Sequence, residues 1–561
     1  MAFQISPGVN VSEVDLTTVV PSILSTAGAF AGTFNWGPAN KVVLVDSEIT
    51  LAKTFGDPDS NSAISFFTAA NFLAYGNNLS IVRAVGATSN NATANSSAKI
   101  QVDNADVFEA SYLNNNNSNT YGAFMARFPG AMGNSLEVSV TDATGFSAWA
   151  YKGYFTSAPG TSDFVANAGG ANDEIHVVVV DAGGLFTGTQ GTVLETYAFV
   201  SKASDATLNG STNYYKQVIF NNSKYVYAVD PVDYANTSAT WGQTGSTTFA
   251  TLNASKSVTL VNGTDAKPSD GNLETAYGLF QNKENINISL VLTGDADITV
   301  QQYVIDNIAN ERADCIAFIS PPSSNVVNQA GNETTNITAW LAALSRSTSY
   351  AVADSGWKYQ FDKYNNVYRW IPLNGDVAGL CAYTDTVRDP WFSPAGFNRG
   401  AIKNCIKLAW NPSKTYRDTL YAAGVNPVVS FPGQGTILYG DKTLQAKPSA
   451  FDRINVRRLF IILEKSIATA AQYSLFEFND EFTRGQFVAL VTPFLRDVQG
   501  RRGITDFKVV CDTTNNTGQV IDTNRFVGDI YIKPARSINF IQLNFVAVGT
   551  GVDFTTVVGA V

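Results

Sequence analysis

The sequence predicts an α/β chain of several domains, interrupted by a β-rich insertion and closed by an α+β block. Three observations carry that prediction. Strand-like and helix-like stretches alternate on both sides of a polar middle third, within 24–86 and again from 299 to 357. Residues 87–290 are dominated by Asn, Gly, Ser and Thr, with short apolar runs at Glu174–Ala182 and Lys224–Asp230. The last third holds two amphipathic helices followed by strands. At 561 residues the chain exceeds what one core supports, so roughly two to four domains are expected.

Residues 1–20 read as an extended arm. Pro7, Gly8 and Pro21 punctuate it, and Val9 and Val11 alternate with Asn10 and Ser12. Such an end either frays or is donated as a strand to the sheet edge of another subunit. The far end, 549–561, has the same character. After Gly549 and Gly551, the run Val552–Val558 is strand-forming and lacks a local hairpin partner. Two ends of this kind favour exchange, through Val9, Val11 and Val14 at one end and Val552, Phe554 and Val557 at the other.

Residues 24–86 read as strand, loop, strand, helix, strand. Ser60 or Ser62 caps a helix over Ala63–Tyr75, Gly76 ends it, and Leu79–Val85 is a buried strand. Asp57–Asn61 starts like a calcium loop. However, Ser62 stands at the sixth position in place of glycine and Thr68 at the twelfth in place of glutamate, so no calcium site is expected.

The insertion, 87–290, carries nine Lys+Arg against seventeen Asp+Glu, a net of −8 within the chain's −10. An acidic, loop-rich stretch belongs on an outer surface. Beyond it the α/β pattern resumes, with a helix around Val300–Arg312 and the strand Cys315–Ser320, stopped by Pro321 and Pro322. A helix over Ile337–Arg346, the segment Tyr350–Trp357 and a hairpin rich in Tyr and Trp over Tyr359–Trp370 follow. Residues 21–86 and 291–423 thus read as one α/β domain split by the insertion.

Residues 424–548 form the closing block. In its first helix Val456, Leu459, Phe460, Leu463, Ile467 and Ala470 recur at three- and four-residue steps, with Arg453, Arg457 and Lys465 elsewhere on the surface. In the second, Asn479 is the expected N-cap, with Asp480 and Glu481 in the first turn. Phe487, Val491, Phe494 and Val498 form its stripe, Pro493 a kink and Gly500 the stop. Ile541, Leu543, Phe545 and Ala547 alternate with polar residues as in a half-buried strand.

Composition excludes several functions. Net charge −10 and pI 4.8 argue against nucleic-acid binding, which needs a basic face. Cys315, Cys381, Cys405 and Cys511 are far apart with no CxxC pair, so neither a disulfide framework nor a zinc site is expected. MAFQISPGVN has no basic start and no long apolar run, so no signal peptide is expected, and no uninterrupted apolar segment is long enough to span a membrane. The single histidine, His176, lies in an apolar strand and cannot supply a triad or a histidine metal site. In Gly435–Thr443, Asp441 separates Gly440 from Lys442, where a carboxylate would repel phosphate. Gly433–Gly435 lacks the third glycine of a dinucleotide fingerprint and reads as a turn. No catalytic constellation, cofactor or metal is expected. A charged fraction of 15% against a usual value of about 25% suits a surface that lies against neighbours.

Five segments carry a family resemblance. Pro7–Asp15 (PGVNVSEVD), Ser25–Ser47, Asn374–Gly396 with its WxxPAG close, Gly424–Gly435 (GVNPVVSFPGQG) and Asn455–Ile467 (NVRRLFIILEKSI) occur in order. Together they resemble the tail sheath proteins of contractile, T-even-like bacteriophages (myoviruses), over about 1–86 and 290–561. The resemblance implies a core domain of subtilisin-like fold, an insertion on the outside of the tail, a C-terminal domain facing the central tube, and exchanged terminal strands. It implies a structural role and no enzyme activity. The subunit would form hexameric rings stacked helically around the tube, with baseplate and tail terminator proteins at the ends. Contraction would drive the tube through the host envelope for genome ejection. The protein would be made in the host cytoplasm and reside in the virion tail, without nucleic-acid binding or direct membrane insertion. A sheath of a phage-derived injection system or R-type bacteriocin is the alternative. From Arg453 to Arg502 there are eight Lys+Arg and five Asp+Glu. Arg457, Arg458, Arg496, Arg501 and Arg502 are the candidates for a tube-facing basic surface, with local salt bridges or sheath-to-sheath contacts as their other use.

Overall fold

Alternation organises the central sheet. In the strand Gly28–Gly32, Phe30 enters one apolar cluster while Ala29 and Ala31 enter another. The same division separates Leu79 and Ile81 from Val82, Ile316 and Phe318 from Ala317 and Ile319, and Val352 from Ala351 and Ala353. Side chains on a strand point to opposite faces. Strands buried on both faces are continuously apolar and pair in parallel. The computed structural model describes Val20, residues 24–114 and residues 118–543.

Seven strands lie in the order Val425–Asn426, Ala351–Asp354, Ile316–Ile319, Leu290–Leu292, Gly28–Gly32, Leu79–Arg83 and Val42–Val45. All pair in parallel except the last, which runs antiparallel to its neighbour. Gly28–Gly32 pairs with Leu79–Arg83 on one side and Leu290–Leu292 on the other. The sheet is therefore built from both flanks of the insertion. Helices Glu48–Phe55, Ala63–Leu73 and Asn374–Val387 contribute to the cluster containing Phe30. Helices Asp270–Gly278, Ile298–Tyr303 and Glu333–Leu344 contribute to the cluster containing Ala29.

Two glycines explain the helix Asn374–Val387. A Cβ on Gly375 would stand 2.5 Å from the Thr68 carbonyl oxygen, and one on Gly379 would stand 2.5 Å from the Tyr75 ring. Glycine lets this helix approach the neighbouring one more closely than any side chain would. Beneath it Lys358 and Asp376, both without exposed surface, pair at 2.9 Å, and the Tyr75 hydroxyl donates to the same carboxylate.

The insertion has its own antiparallel sheet, ordered Lys256–Thr259, Leu136–Thr141, Glu174–Asp181, Thr192–Ser201. Val138, Val140, Val177 and Val179 enter its main core, while Val178 and Val180 pack on Trp149 across the other face. The strands read at Glu174–Ala182 and Lys224–Asp230 are present as Glu174–Asp181 and Val226–Ala228.

Several local expectations are corrected. A helix, Glu48–Phe55, stands between the second strand and the helix at Ala63, where the sequence pattern assigns no element. Ser47 accepts the Thr50 amide as its cap, and Leu51 and Phe55 are its buried residues. The next helix ends at Leu73, and its N-cap residue Ser62 makes no capping bond. The Asp59 carboxylate instead accepts the amides of Asn61 and Ser62 and the Ser62 hydroxyl.

By contacts, the chain divides between Leu475 and Phe476, not at Gly424. Val425–Asn426 is the edge strand of the main sheet, and the helix Ile454–Ala471 is bonded to the core helix through Arg458 and Asp385, so 424–475 packs with the first unit. In the second unit the helix Glu481–Gly500 runs through Pro493. Its N-cap is Asp480, which accepts the Thr483 amide. Asn479 is bonded instead to the Arg525 carbonyl and to Arg484. Leu495 takes the buried place expected of Phe494. The strands Ile504–Val510 and Asp529–Pro534 form an antiparallel ribbon. Residues 541–543 are exposed and outside any strand, and Phe545 and Ala547 lie outside the described residues.

Candidate assembly interface

The second unit offers open backbone. Among the described residues its ribbon, Ile504–Val510 with Asp529–Pro534, has two strands and therefore two edges to which a further strand can be added. A two-stranded ribbon is marginal without further strands or packing. The strand-exchange candidates Val9, Val11, Val14, Val552, Phe554 and Val557 all lie outside the described residues.

The five candidate arginines separate into two groups. Arg496, Arg501 and Arg502 are exposed at the end of the helix Glu481–Gly500. Cations there also complement the negative end of the helix dipole, and Arg501 pairs with Asp497 at 3.3 Å. Arg457 and Arg458 are buried, which removes them from any basic surface. Arg457 is sandwiched between Phe451 and Tyr350, with its guanidinium 4.2 and 4.5 Å from the ring centres. Arg458 meets Asp385 at 2.5 Å and donates to the carbonyl of Cys381. Lys465, on the same helix, donates to the Ile288 carbonyl and lies 3.3 Å from Asp314. These cations fasten the helix Ile454–Ala471 to elements far away in sequence. A buried cation is costly unless it is compensated. Carbonyls and carboxylates compensate Arg458 and Lys465, and the two ring faces compensate Arg457.

The other sequence features are structural. His176 sits where the register shifts between Ile175 and Val177. One ring nitrogen lies 2.9 Å from the Ser157 carbonyl and the other accepts the Phe199 amide. Its ring stacks on Phe155 at 4.2 Å. The acceptor role requires the neutral ring, and burial lowers its pKa. Gly433 and Gly435, at φ 75° and 81°, shape the turn between Val428–Phe431 and Gly435–Leu438, where only glycine is at ease. Lys442 donates to the Tyr421 carbonyl. The four cysteines are free thiols. Among the described residues, no group of three His, Cys, Asp or Glu is placed to hold a metal, and no helix is long and apolar enough to cross a membrane.

Comparison with known proteins bears on the whole chain. Residues 28–84 match the family model for the tail sheath protein Gp18 domain III N-terminal region, residues 290–444 the phage tail sheath protein central domain, and residues 446–547 the phage tail sheath C-terminal domain. The tail sheath protein of Vibrio phage KVP40 is 33% identical, across 99% of this chain and 100% of its own. The chain belongs to the phage tail sheath protein family. The tail sheath protein of Enterobacteria phage T4 is 32% identical over 99% of both chains. At the level of fold, the chain is similar to the sheath tail protein Lin1278 of Listeria innocua, with a TM-score of 0.54 and 11% identity over 91% of this chain and 94% of that one. It is likewise similar to the sheath of the PVC extracellular contractile injection system in its contracted state. There the TM-score is 0.51 and the identity 12%, over 97% and 98% of the two chains. As a tail sheath protein it is a structural component. Residues 85–289 lie between the matched family models and correspond to the acidic insertion.

Proposed function

We propose that this tail sheath protein polymerises as stacked hexameric rings around a tail tube and contracts to drive the tube through the host envelope. Contact with baseplate and terminator proteins would close the two ends of the polymer, and the subunits, made in the host cytoplasm, would reside in the virion tail. The observation that carries the reading is full-length identity of about a third to phage tail sheath proteins. The injection-system sheath is related at 12%, which favours the phage form over an injection system or bacteriocin.

The two-edged ribbon supports exchange of terminal strands, since backbone amides and carbonyls on both edges can accept an arm from a neighbour. Such bonds hold neighbours together while whole subunits rotate, the rigid-body kind of transition. The doubly covered parallel sheet supports the subtilisin-like reading of the core, and a fold carries no chemistry by itself. Arg496, Arg501 and Arg502 remain the tube-facing candidates.

Electron microscopy of the full chain beside a copy lacking 1–20 and 549–561 tests the reading. Striated tubes or rings from the first and monomers from the second are expected. Monomers from both, with and without purified tube protein as template, would end it.

A further inference from the structure

Phe476 is fully exposed, and Phe478 and Phe482 expose 84% and 70% of their surface. Glu477 and Glu481 stand among them, also exposed. Clustered exposed apolar side chains mark a contact surface. The backbone at Phe476 is left-handed, φ 69°, a conformation bulky residues seldom adopt and one that tends to gather where function requires it.

A second aromatic surface lies on the first unit. Phe397, Phe431 and Tyr439 pack together, with ring centres 5.4, 6.1 and 5.2 Å apart. Arg417 lies 5.8 Å from the centres of both Phe431 and Tyr439. Arg399 stands 5.6 Å from the Phe392 ring; burial lowers its pKa, and the exposed Arg388 nearby adds to that lowering. Arg417 and Arg399 donate to the carbonyls of Pro412 and Ser393, and both are half-buried. Phe397 and Tyr439 are about half exposed.

We propose that the acidic aromatic segment of one copy docks on the arginine-rich aromatic patch of a second copy. Rings meet rings and guanidinium planes, which are favourable contacts for aromatic side chains. Two carboxylates meet three cations, and such complementarity fixes partner and register. The two surfaces differ, so the contact is heterologous, and repeating it generates a ring or an open helix instead of a closed pair. This inference rests on the reading of the chain as a polymerising sheath subunit and names one of the contacts that would join its copies.

Charge reversal in the full chain is the test, read as the critical concentration for polymer formation by sedimentation. Glu477→Lys with Glu481→Lys, or Arg388→Glu with Arg417→Glu, should each raise that concentration about tenfold or more. All four substitutions in one chain should return it most of the way. Circular dichroism establishes that each variant is folded. As an independent measurement, a chain with Phe478→Cys and a chain with Tyr439→Cys are assembled together and oxidised. A disulfide-linked pair containing one of each supports the contact. Wild-type polymers alongside reversed chains that assemble equally well, or no linked pair within the polymers, would overturn the contact and leave the sheath reading standing. Failure of the wild type to assemble even on the tube would overturn both.

Discussion

Arg458 and Asp385 form a 2.5 Å salt bridge with 3% and 4% of their side-chain surfaces exposed, and the same carboxylate oxygen accepts the Ser25 hydroxyl. Arg458 also reaches the Ser25 carbonyl. Three segments meet here: the helix Ile454–Ala471, the core helix Asn374–Val387 and the chain at Ser25, just beyond the N-terminal arm. Arg458→Leu should destabilise the protein by about 3–5 kcal/mol, because Asp385 is left as a buried charge. Arg458→Leu with Asp385→Leu should lose less, since no charge remains. Urea unfolding followed by circular dichroism compares the two. Equal losses would mean that side-chain packing, and not the pairing, holds these segments.

Asp354 gives a pH dependence with a definite sign. It is buried, accepts the Ser320 hydroxyl at 2.6 Å and the Gly356 amide at 2.8 Å, and burial raises its pKa to about 8. An aspartate in the unfolded chain titrates near 4. The folded protein therefore keeps a proton that the unfolded chain releases. Asp354's contribution is complete below about pH 4 and is lost as pH rises toward about 8. Against Asp354→Asn, the wild type should lose ground steadily between pH 5 and 8 in thermal unfolding. Parallel profiles would place the pH dependence elsewhere.

His176 works in the opposite direction. Its folded pKa lies below the ordinary histidine value because of burial, so the unfolded chain takes up the proton first. Its stabilising contribution is present at neutral pH and is lost as pH falls through the ordinary histidine range. Trp149, whose ring lies 6.5 Å from the imidazole, reports the insertion by fluorescence. Acidification from pH 7 to about 5.5 should lower its unfolding midpoint in the wild type relative to His176→Gln, which keeps every other titrating group. Identical slopes in the two proteins would remove His176 as the cause.

Much of the fold was legible because it is written in short-range pattern. Apolar runs bounded by Gly and Pro mark the parallel strands around Leu79–Arg83 and Ile316–Ile319, and the Tyr- and Trp-rich stretch Tyr359–Trp370 marks the hairpin Trp357–Asp362 with Val367–Pro372. Arg457 and Arg458 were misread because an amphipathic pattern records one apolar face and assumes the other meets water. Here Asp385, Cys381, Tyr350 and Phe451 cover that second face, and all but Phe451 come from distant parts of the chain. The boundary at Gly424 was misplaced for a related reason. Its left-handed backbone, φ 95°, ends a helix and so marks a local break, while the strand after it still pairs with Ala351–Asp354. The helix Glu48–Phe55 escaped because its eight residues bury only Leu51 and Phe55, too few to show a period.

Arg496, Arg501 and Arg502 give the most direct test of which surface meets the tube. All three are exposed, so reversing them to Glu removes no buried contact. The cost to the folded subunit should stay within about 1 kcal/mol, mostly through the loss of favourable charge at the helix end. If these side chains face an acidic tube, the reversed protein should sediment with tube polymers markedly less than the wild type at low salt. The difference should shrink as salt rises, because exposed charges are screened over about 8–10 Å near physiological ionic strength. Sedimentation at two salt concentrations, with thermal unfolding as the check on folding, separates this from a general defect. Unchanged binding of the reversed protein to the tube would assign these arginines to the helix end alone and move the search for the tube contact to another face of the subunit.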